Sequence, residues 1–467
     1  MSLSAIILAA GAGTRMKSST PKVAHRILGR PLVSYVIQAA RAAGVDDLVA
    51  VVGHGRDQVE PLVADECRVV VQDQQLGTAD AVARCREALA GATGSLLVLS
   101  GDCPLITPET LSNLVYAREG ADAGVAVLSM RPANPFGYGR IVRESSGAFM
   151  RIVEQKDCTD EEASIRECNA GFYCFDAQLL FQALEQVSSD NAQGEFYLTD
   201  VIEIARAAGR TVLAFEAPAA EECLGVNSRA QLAQATKIMQ RRINARHMAA
   251  GVTMTDPDLV WIGPDVQIEQ DVELLPLTFL MGKTRLGSGT VVGPNTRLTD
   301  VTVGRDCLLD ETVALESQID DGCTVGPRAY IRPQTHLCRN AKVGTHVEVK
   351  KSTIGEGSKV PHLSYIGDTT MGADVNIGAG SITCNYDGTN KWPTTIGDRA
   401  FVGSDTMMVA PVNIGSDVLI GAGSVITDDV SDRALALGRA RQVEIPEYEE
   451  RRRRKQQEAQ QGQDAQA

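Results

Sequence analysis

The sequence predicts an α/β protein in two parts, a Rossmann-like domain followed by a parallel β-helix. Three observations predict it. Ile396, Val402, Met408, Ile414, Ile420 and Ile426 recur at every sixth position. Upstream, Ile319, Val325, Ile331, Leu337, Val343 and Val349 do the same. The first 227 residues instead alternate short apolar runs with helix-like stretches. A helix requires a period of 3.6 and a flat strand a period of 2, so a period of six fits neither. It fits a coil that turns a corner after each short strand and sends one side chain per hexad into an axial core. Gly397, Gly403, Gly415 and Gly421 follow repeat residues, where a tight corner favours a residue without Cβ.

In chain order, Ala5–Ala10, Leu48–Gly53, Arg68–Gln72, Ser95–Ser100 and Gly124–Ser129 read as buried strands, and Leu32–Ala43 and Ala79–Leu89 as helices. That alternation implies a mostly parallel sheet, whose ligands sit beyond the carboxyl ends of the strands. From Ser228 to about Ala250 good helix formers predict one connecting helix, with Asn227 or Ser228 as its N-cap. Hexads run from about Val260, with slips near residues 303, 319, 354 and 371. Four consecutive Arg at 451–454 precede a Gln/Glu/Ala-rich end, which is expected to be disordered, with a nucleic-acid role as the alternative. The expected domains are 1–227, a linker helix 228–250, a β-helix 251–441 and a disordered tail 442–467.

A chain of 467 residues is too long for one core. Aromatics at 4% suit a narrow core filled by aliphatic side chains. A net charge of −14 argues against a general nucleic-acid binder and against a binder of anionic membranes. Any phosphate must then be met by local cations and backbone N–H groups. No apolar run is long enough for a membrane span, and Met1–Leu8 lacks a basic leader. Eleven Cys without CxxC or Cys/His ligand spacing predict reduced thiols, a cytoplasmic location and no structural zinc.

The strand Ala5–Leu8 runs into Ala9-Ala10-Gly11-Ala12-Gly13-Thr14-Arg15-Met16. Two glycines let backbone N–H groups approach a phosphate, and Arg15 adds a planar donor fork. A Rossmann fingerprint needs Gly where Met16 stands, and a Walker loop needs Gly-Lys-Ser/Thr, so both fail. A plain strand-to-helix turn explains Gly-Ala-Gly equally well. Lys22 of Pro21-Lys22 supplies a second cation, and Leu99-Ser100-Gly101-Asp102 ends a buried strand on a carboxylate, a Mg²⁺ ligand type.

With these residues the chain resembles the sugar-phosphate nucleotidyltransferases. It is most similar to the family of bifunctional N-acetylglucosamine-1-phosphate uridylyltransferases/glucosamine-1-phosphate acetyltransferases, over about residues 5–441. The resemblance implies that Leu8, Ala9, Ala10, Gly11, Arg15 and Lys22 hold UTP, with Arg15 and Lys22 stabilising charge. Gln72, Gly77 and Thr78 are implied to recognise uracil. Ser100 and Gly101 are implied to line the nucleotide site, and Asp102 and Asn227 to hold Mg²⁺. Gly139, Glu154 and Asn169 are implied to contact the sugar. A sugar-1-phosphate oxygen would attack the α-phosphorus of UTP and release pyrophosphate, mainly through positioning and charge cancellation. Helix capping by Asp102 or Asn227 is the alternative role, and it does not exclude metal binding. Ala12, Asp80 and Ser100 depart from the family pattern, where a basic residue, His and Tyr are common.

In the β-helix, positions 18 apart stack about 4.8 Å apart along the axis. Arg332 and Lys350 are so related, and stacked cations repel unless an anion lies between them, which points to a phosphate site. Ser404 and Ala422 are also 18 apart, and Ala379 and His362 share their phase. Between Thr383 and Ile396 the register gains a residue, so a loop should project there and reach a neighbouring subunit. His362 alone would read as a solvated side chain. The resemblance implies that it is the general base that deprotonates the glucosamine amine as it attacks acetyl-CoA. It implies Arg332, Lys350, Tyr365, Asn376 and Lys391 for the sugar phosphate, and Ala379, Asn385, Tyr386, Ser404, Ala422 and Arg439 for acetyl-CoA. His25, His54 and His247 read as structural or surface residues. It further implies a left-handed coil, a homotrimer, and a supply of UDP-N-acetylglucosamine for peptidoglycan and lipopolysaccharide. A single-activity pyrophosphorylase with an oligomerising β-helix, and an inactive assembly protein, are the competing readings.

Overall fold

The computed structural model of the protein describes residues 3–191 and 193–464. Two compact units result, one reaching to Gln267 and including Leu275–Lys283, the other formed by Ile268–Leu274 and the chain from Thr284 onward.

In the first unit the central sheet runs in the order Val212–Glu216, Val125–Met130, Cys168–Asp176, Ser95–Ser100, Leu3–Ala9, Asp47–Val52, Arg68–Val71. Only Cys168–Asp176 on this path is antiparallel to its neighbours. Alternation along Leu3–Ala9 places Ala5, Ile7 and Ala9 in one core and Ile6 in the other. The sheet is therefore covered on both faces, as buried parallel strands require. Each fully buried Ile contributes roughly 1.5–3 kcal/mol. The five expected strands lie within two residues of their predicted limits. The expected helix Ala79–Leu89 is shorter, Thr78–Ala83, and continues as turns with bonds such as Arg86 N to Ala83 O at 3.1 Å.

The expected linker is the helix Arg229–Ala249, and Ser228 caps it by accepting from the Gln231 amide. It is packed within the first unit rather than standing free. The Gln240 and Asn244 side-chain amides donate to Val260 O at 2.6 and 2.9 Å, and Arg242 reaches Leu105 O at 2.5 Å.

The second unit is a left-handed parallel β-helix. One face stacks Thr324–Val325, Lys342–Thr345, Lys359–His362, Asn376–Ile377, Phe401–Val402 and Leu419–Ile420. A second stacks Tyr330–Ile331, Glu348–Lys350, Tyr365–Gly367, Ile382–Cys384 and Met407–Val409. The third stacks His336–Leu337, Thr353–Ile354, Thr369–Met371, Thr394–Ile396 and Val412–Ile414. All twelve repeat residues are buried. Coil length varies, because Leu309 pairs with Val325, Leu337 with Ile354, and Val402 with Ile420. The shortened corners produce the slips seen in the hexads; two of them hold Lys351 and Asp368 at positive φ, 46° and 50°.

The tail departs from expectation. Tyr448–Asp464 is an α-helix, exposed over residues 448–461, rather than a disordered segment. Its Glu, Arg, Gln and Ala residues are strong helix formers, and Arg452 pairs with Glu449 at 3.0 Å. The last three positions of the expected tail lie outside the described residues.

Candidate active sites

Parallel pairing sets Leu8 against Ser100 and Val51, so the loops after these strands and after Arg68–Val71 open on one edge of the sheet. A cavity of about 300 Å³ forms there. Its lining includes Leu8, Ala9, Ala10, Gly11, Lys22, Gln72, Gly77, Thr78, Ser100 and Asp102, ten of the residues expected for UTP. Gly101 acts from behind: a Cβ there would stand 2.9 Å from Leu8 O, the carbonyl its own amide donates to. Gly13 is left-handed (φ 59°), and a Cβ on it would lie 2.6 Å from Lys22 Cβ. Its small size lets Lys22 approach the loop.

The Lys22 ammonium is ion-paired with Asp102 and donates to Asn227 Oδ1 at 3.0 Å. Arg15 donates to the same oxygen at 2.9 Å. Because Ser228 caps the helix, the Asn227 side chain is free to face these cations. Asp102 and Asn227 thus present two hard oxygens that already converge on one positive charge, the donor type that Mg²⁺ takes. Beside this cavity, one of about 260 Å³ shares Leu8, Thr78 and Ser100 and adds Glu154, whose carboxyl is raised by burial and by Asp157 and Asp200. Gly139 adjoins it, since a Cβ there would meet Glu154 Oε1 at 3.4 Å. Asn169 is buried; its Nδ2 donates to Tyr173 OH at 2.7 Å.

In the β-helix, one column carries most of the residues expected for acetyl-CoA. Lys359 pairs with Asn376, a register that sets exposed His362 beside Ala379. Asp405 N donates to Ala379 O at 2.7 Å, Gly423 N to Ser404 O at 2.8 Å, and Arg439 to Ala422 O at 2.9 Å. Of the sugar-phosphate residues, Arg332, Lys350, Tyr365 and Lys391 form a separate cluster, whereas Asn376 lies on the first face, paired with Lys359. Ile331 pairs with Val349, so Arg332 stacks on Lys350 as counted. The anions between them are internal: Arg332 pairs with Glu348 at 2.8 Å, and Lys350 with Asp368 at 3.0 Å. Asn385 donates to Asp368 at 2.5 Å and to Tyr365 OH at 3.4 Å. Burial pulls Lys350 down, but Asp368 outweighs it and the ammonium titrates above its ordinary range. Lys391, facing the like charge of Lys350, is held below its own.

His362 and Lys350 do not share a corner. His362 ends a strand of the first face, whereas Lys350 ends one of the second, with Tyr365–Gly367 between. Tyr386 lies in the projecting loop, exposed, with its hydroxyl on Gly388 O at 2.6 Å. The loop itself is real, because Ile382 pairs with Met407 across a coil longer than any neighbour.

Residues 5–166 match the family model of a MobA-like NTP transferase domain, and residues 393–428 that of the hexapeptide repeat of succinyl-transferase. The chain is 47% identical over 447 residues to "Bifunctional protein GlmU" of Syntrophomonas wolfei subsp. wolfei, covering 96% of this chain and 99% of that one. Against the protein of the same name from Pelotomaculum thermopropionicum it is 50% identical over 455 residues, 97% and 100% of the two chains. The chain belongs to the GlmU family of bifunctional proteins.

As a GlmU-family enzyme it carries a nucleotidyltransferase domain and a hexapeptide-repeat domain, which favours the two-reaction reading over a single-activity or inactive protein. The GlmU-type cavities also include Gln75, Glu195, Tyr173 and Tyr197, which the sequence reading omitted. Only the polar and aromatic character of Glu195-Phe196-Tyr197 signalled them. Outside the two sites, one group among the described residues has a metal-like donor set, Asp320, His336 and Cys338. Both Asp320 oxygens are engaged, by His336 at 2.9 Å and Gln318 at 2.8 Å, and Arg339 lines the same cavity. It reads as a hydrogen-bonded pair beside a thiol.

Proposed function

We propose that the chain makes UDP-N-acetylglucosamine in two steps, acetylating glucosamine-1-phosphate on the β-helix and then joining N-acetylglucosamine-1-phosphate to UTP in the first unit. The observation that carries this is the convergence of Lys22 on Asp102 and Asn227, with Arg15 on the same Asn227 oxygen, where Lys22 and Asp102 line the larger cavity.

In the uridylyl step, the backbone of Leu8–Gly11 and the Arg15 and Lys22 cations bind the triphosphate and offset charge as the sugar phosphate attacks the α-phosphorus and pyrophosphate leaves. Asp102 and Asn227 would hold Mg²⁺, whose charge would add to that of the two cations. Gly139, Glu154 and Asn169 hold the sugar.

In the acetyl step, an amino-sugar phosphate lies across Tyr365–Gly367. Its phosphate points toward Arg332, Lys350 and Lys391, and its amine toward His362. His362 takes the amine proton as nitrogen attacks the thioester carbonyl and the CoA thiolate departs. The column of Ala379, Ser404 and Ala422 with Arg439 holds acetyl-CoA, together with Asn385 and Tyr386. Asn376 contacts the sugar.

A homotrimer is part of this reading. Phe401, Leu419 and Leu435 form an exposed apolar ladder in register, a surface suited to burial against other copies. The enzyme is read as cytoplasmic, where its nucleotide and acetyl-CoA substrates occur. The test supplies acetyl-CoA with glucosamine-1-phosphate, and separately UTP with N-acetylglucosamine-1-phosphate and Mg²⁺. CoA thiol and pyrophosphate are expected respectively, and the absence of either removes that half of the reading.

A further inference from the structure

The Gln72 side chain is held by two groups that only accept hydrogen bonds. It is 3% exposed, follows the strand Arg68–Val71 and lines the larger cavity. Its Nε2 donates to Gly77 O at 3.0 Å and to Asp80 Oδ2 at 2.8 Å. A peptide carbonyl and an ionised carboxylate cannot donate, so the NH₂ end of the amide must face them and Oε1 must face away.

Both partners are themselves fixed. Gly77 has φ 125°, and a Cβ on it would lie 2.4 Å from Phe196 O, so its carbonyl is locked by close backbone packing. Asp80 sits in the first turn of the helix Thr78–Ala83, and its other oxygen pairs with Arg84 at 3.1 Å. Both Nε2 hydrogens are therefore spent within the protein. What Gln72 has left for a ligand is an acceptor.

We propose that Asp80 is a positioning residue that makes Gln72 an acceptor-only reader of the nucleotide base, selecting a pyrimidine with an N3–H over one with an N3 lone pair. This rests on the uridylyl-transfer reading above. Uracil presents N3–H to Gln72 Oε1. Cytosine in the same pose sets a lone pair against that oxygen, and a buried polar mismatch of this kind is strongly rejected. Thymine keeps N3–H and passes this filter. Asn or Ser at position 80 can donate as well as accept, which releases the amide to turn.

The experiment compares kcat/KM for UTP and CTP, by pyrophosphate release, in the full chain and in Asp80→Asn, Asp80→Ser, Arg84→Ala, Gln72→Ala and Asp80→Asn/Gln72→Ala. Either change at Asp80 is expected to lower the UTP:CTP ratio about tenfold or more, mainly through the KM for UTP. Arg84→Ala, which removes only the helix ion pair, is expected to keep the ratio. In the Gln72→Ala background Asp80→Asn is expected to add nothing. An unaltered ratio in both Asp80 variants, or an equal shift without Gln72, overturns the role of Asp80 while leaving uridylyl transfer intact. A wild-type chain that releases no pyrophosphate from UTP overturns both.

Discussion

Lys22 and Asn227 lie 205 positions apart in sequence, yet the lysine ammonium donates a 3.0 Å hydrogen bond to the asparagine side-chain carbonyl. With Asp102 on the same ammonium, three segments of the first unit meet at one charge. Lys22→Ala and Asn227→Ala are each expected to lower pyrophosphate release about a hundredfold or more, as loss of a charge-stabilising group does. CoA release should be unchanged. Parallel loss of both activities in a folded variant would contradict separate sites.

His362→Ala is expected to reduce CoA release by at least about a hundredfold, the usual weight of a general base. Pyrophosphate release should stay within a few-fold. A variant that retains CoA release would remove His362 from the reaction.

Gly13→Ala places a methyl group where Lys22 Cβ stands and forces a left-handed backbone on a residue with a side chain. The expected cost is about 1–2 kcal/mol, read by denaturant unfolding of the first unit. Pyrophosphate release should fall with it, because Lys22 is displaced from Asp102.

His247 is buried in the helix Arg229–Ala249 with its Nε2 unpartnered. Burial and the neighbouring Arg246 lower its pKa from 6.5 to about 4. The unfolded chain then binds a proton that the folded chain refuses, so this contribution is whole above pH 6.5 and is lost as pH falls toward 4. The loss by pH 4 is at most roughly 3 kcal/mol. Urea unfolding at pH 7 and pH 4.5 should show a smaller difference in His247→Asn than in the parent chain; equal differences would count against this origin.

Much of this was legible in the sequence, because burial leaves a period. The twelve hexad positions are all buried in the core of the coil, and counting by 18 placed Arg332 over Lys350. The Gly-rich loop and the carboxylate after Leu99 located the first cavity. What the pattern could not carry was the identity of contacts between distant residues. Glu348 and Asp368 supply the anions that stacked cations demanded, so repulsion alone did not require a ligand. Asp80, read as a departure from the family pattern, accepts a hydrogen bond from the Gln72 side-chain amide at 2.8 Å. The antiparallel strand Cys168–Asp176 was overlooked although its Phe172-Tyr173-Cys174-Phe175 run is apolar enough to signal it. The tail was misjudged because high charge marks both disordered chains and solvated helices.

Each turn of the second unit is bonded only to the turns on either side, so stability accumulates turn by turn. The residues proposed to hold one ligand are spread over several turns, from Ala379 through Ser404 to Ala422. Excising one full turn would shorten the scaffold without abolishing it, yet it would delete a rung from the ligand's footprint. The fold is indifferent to its own length; it is the substrate that counts the turns.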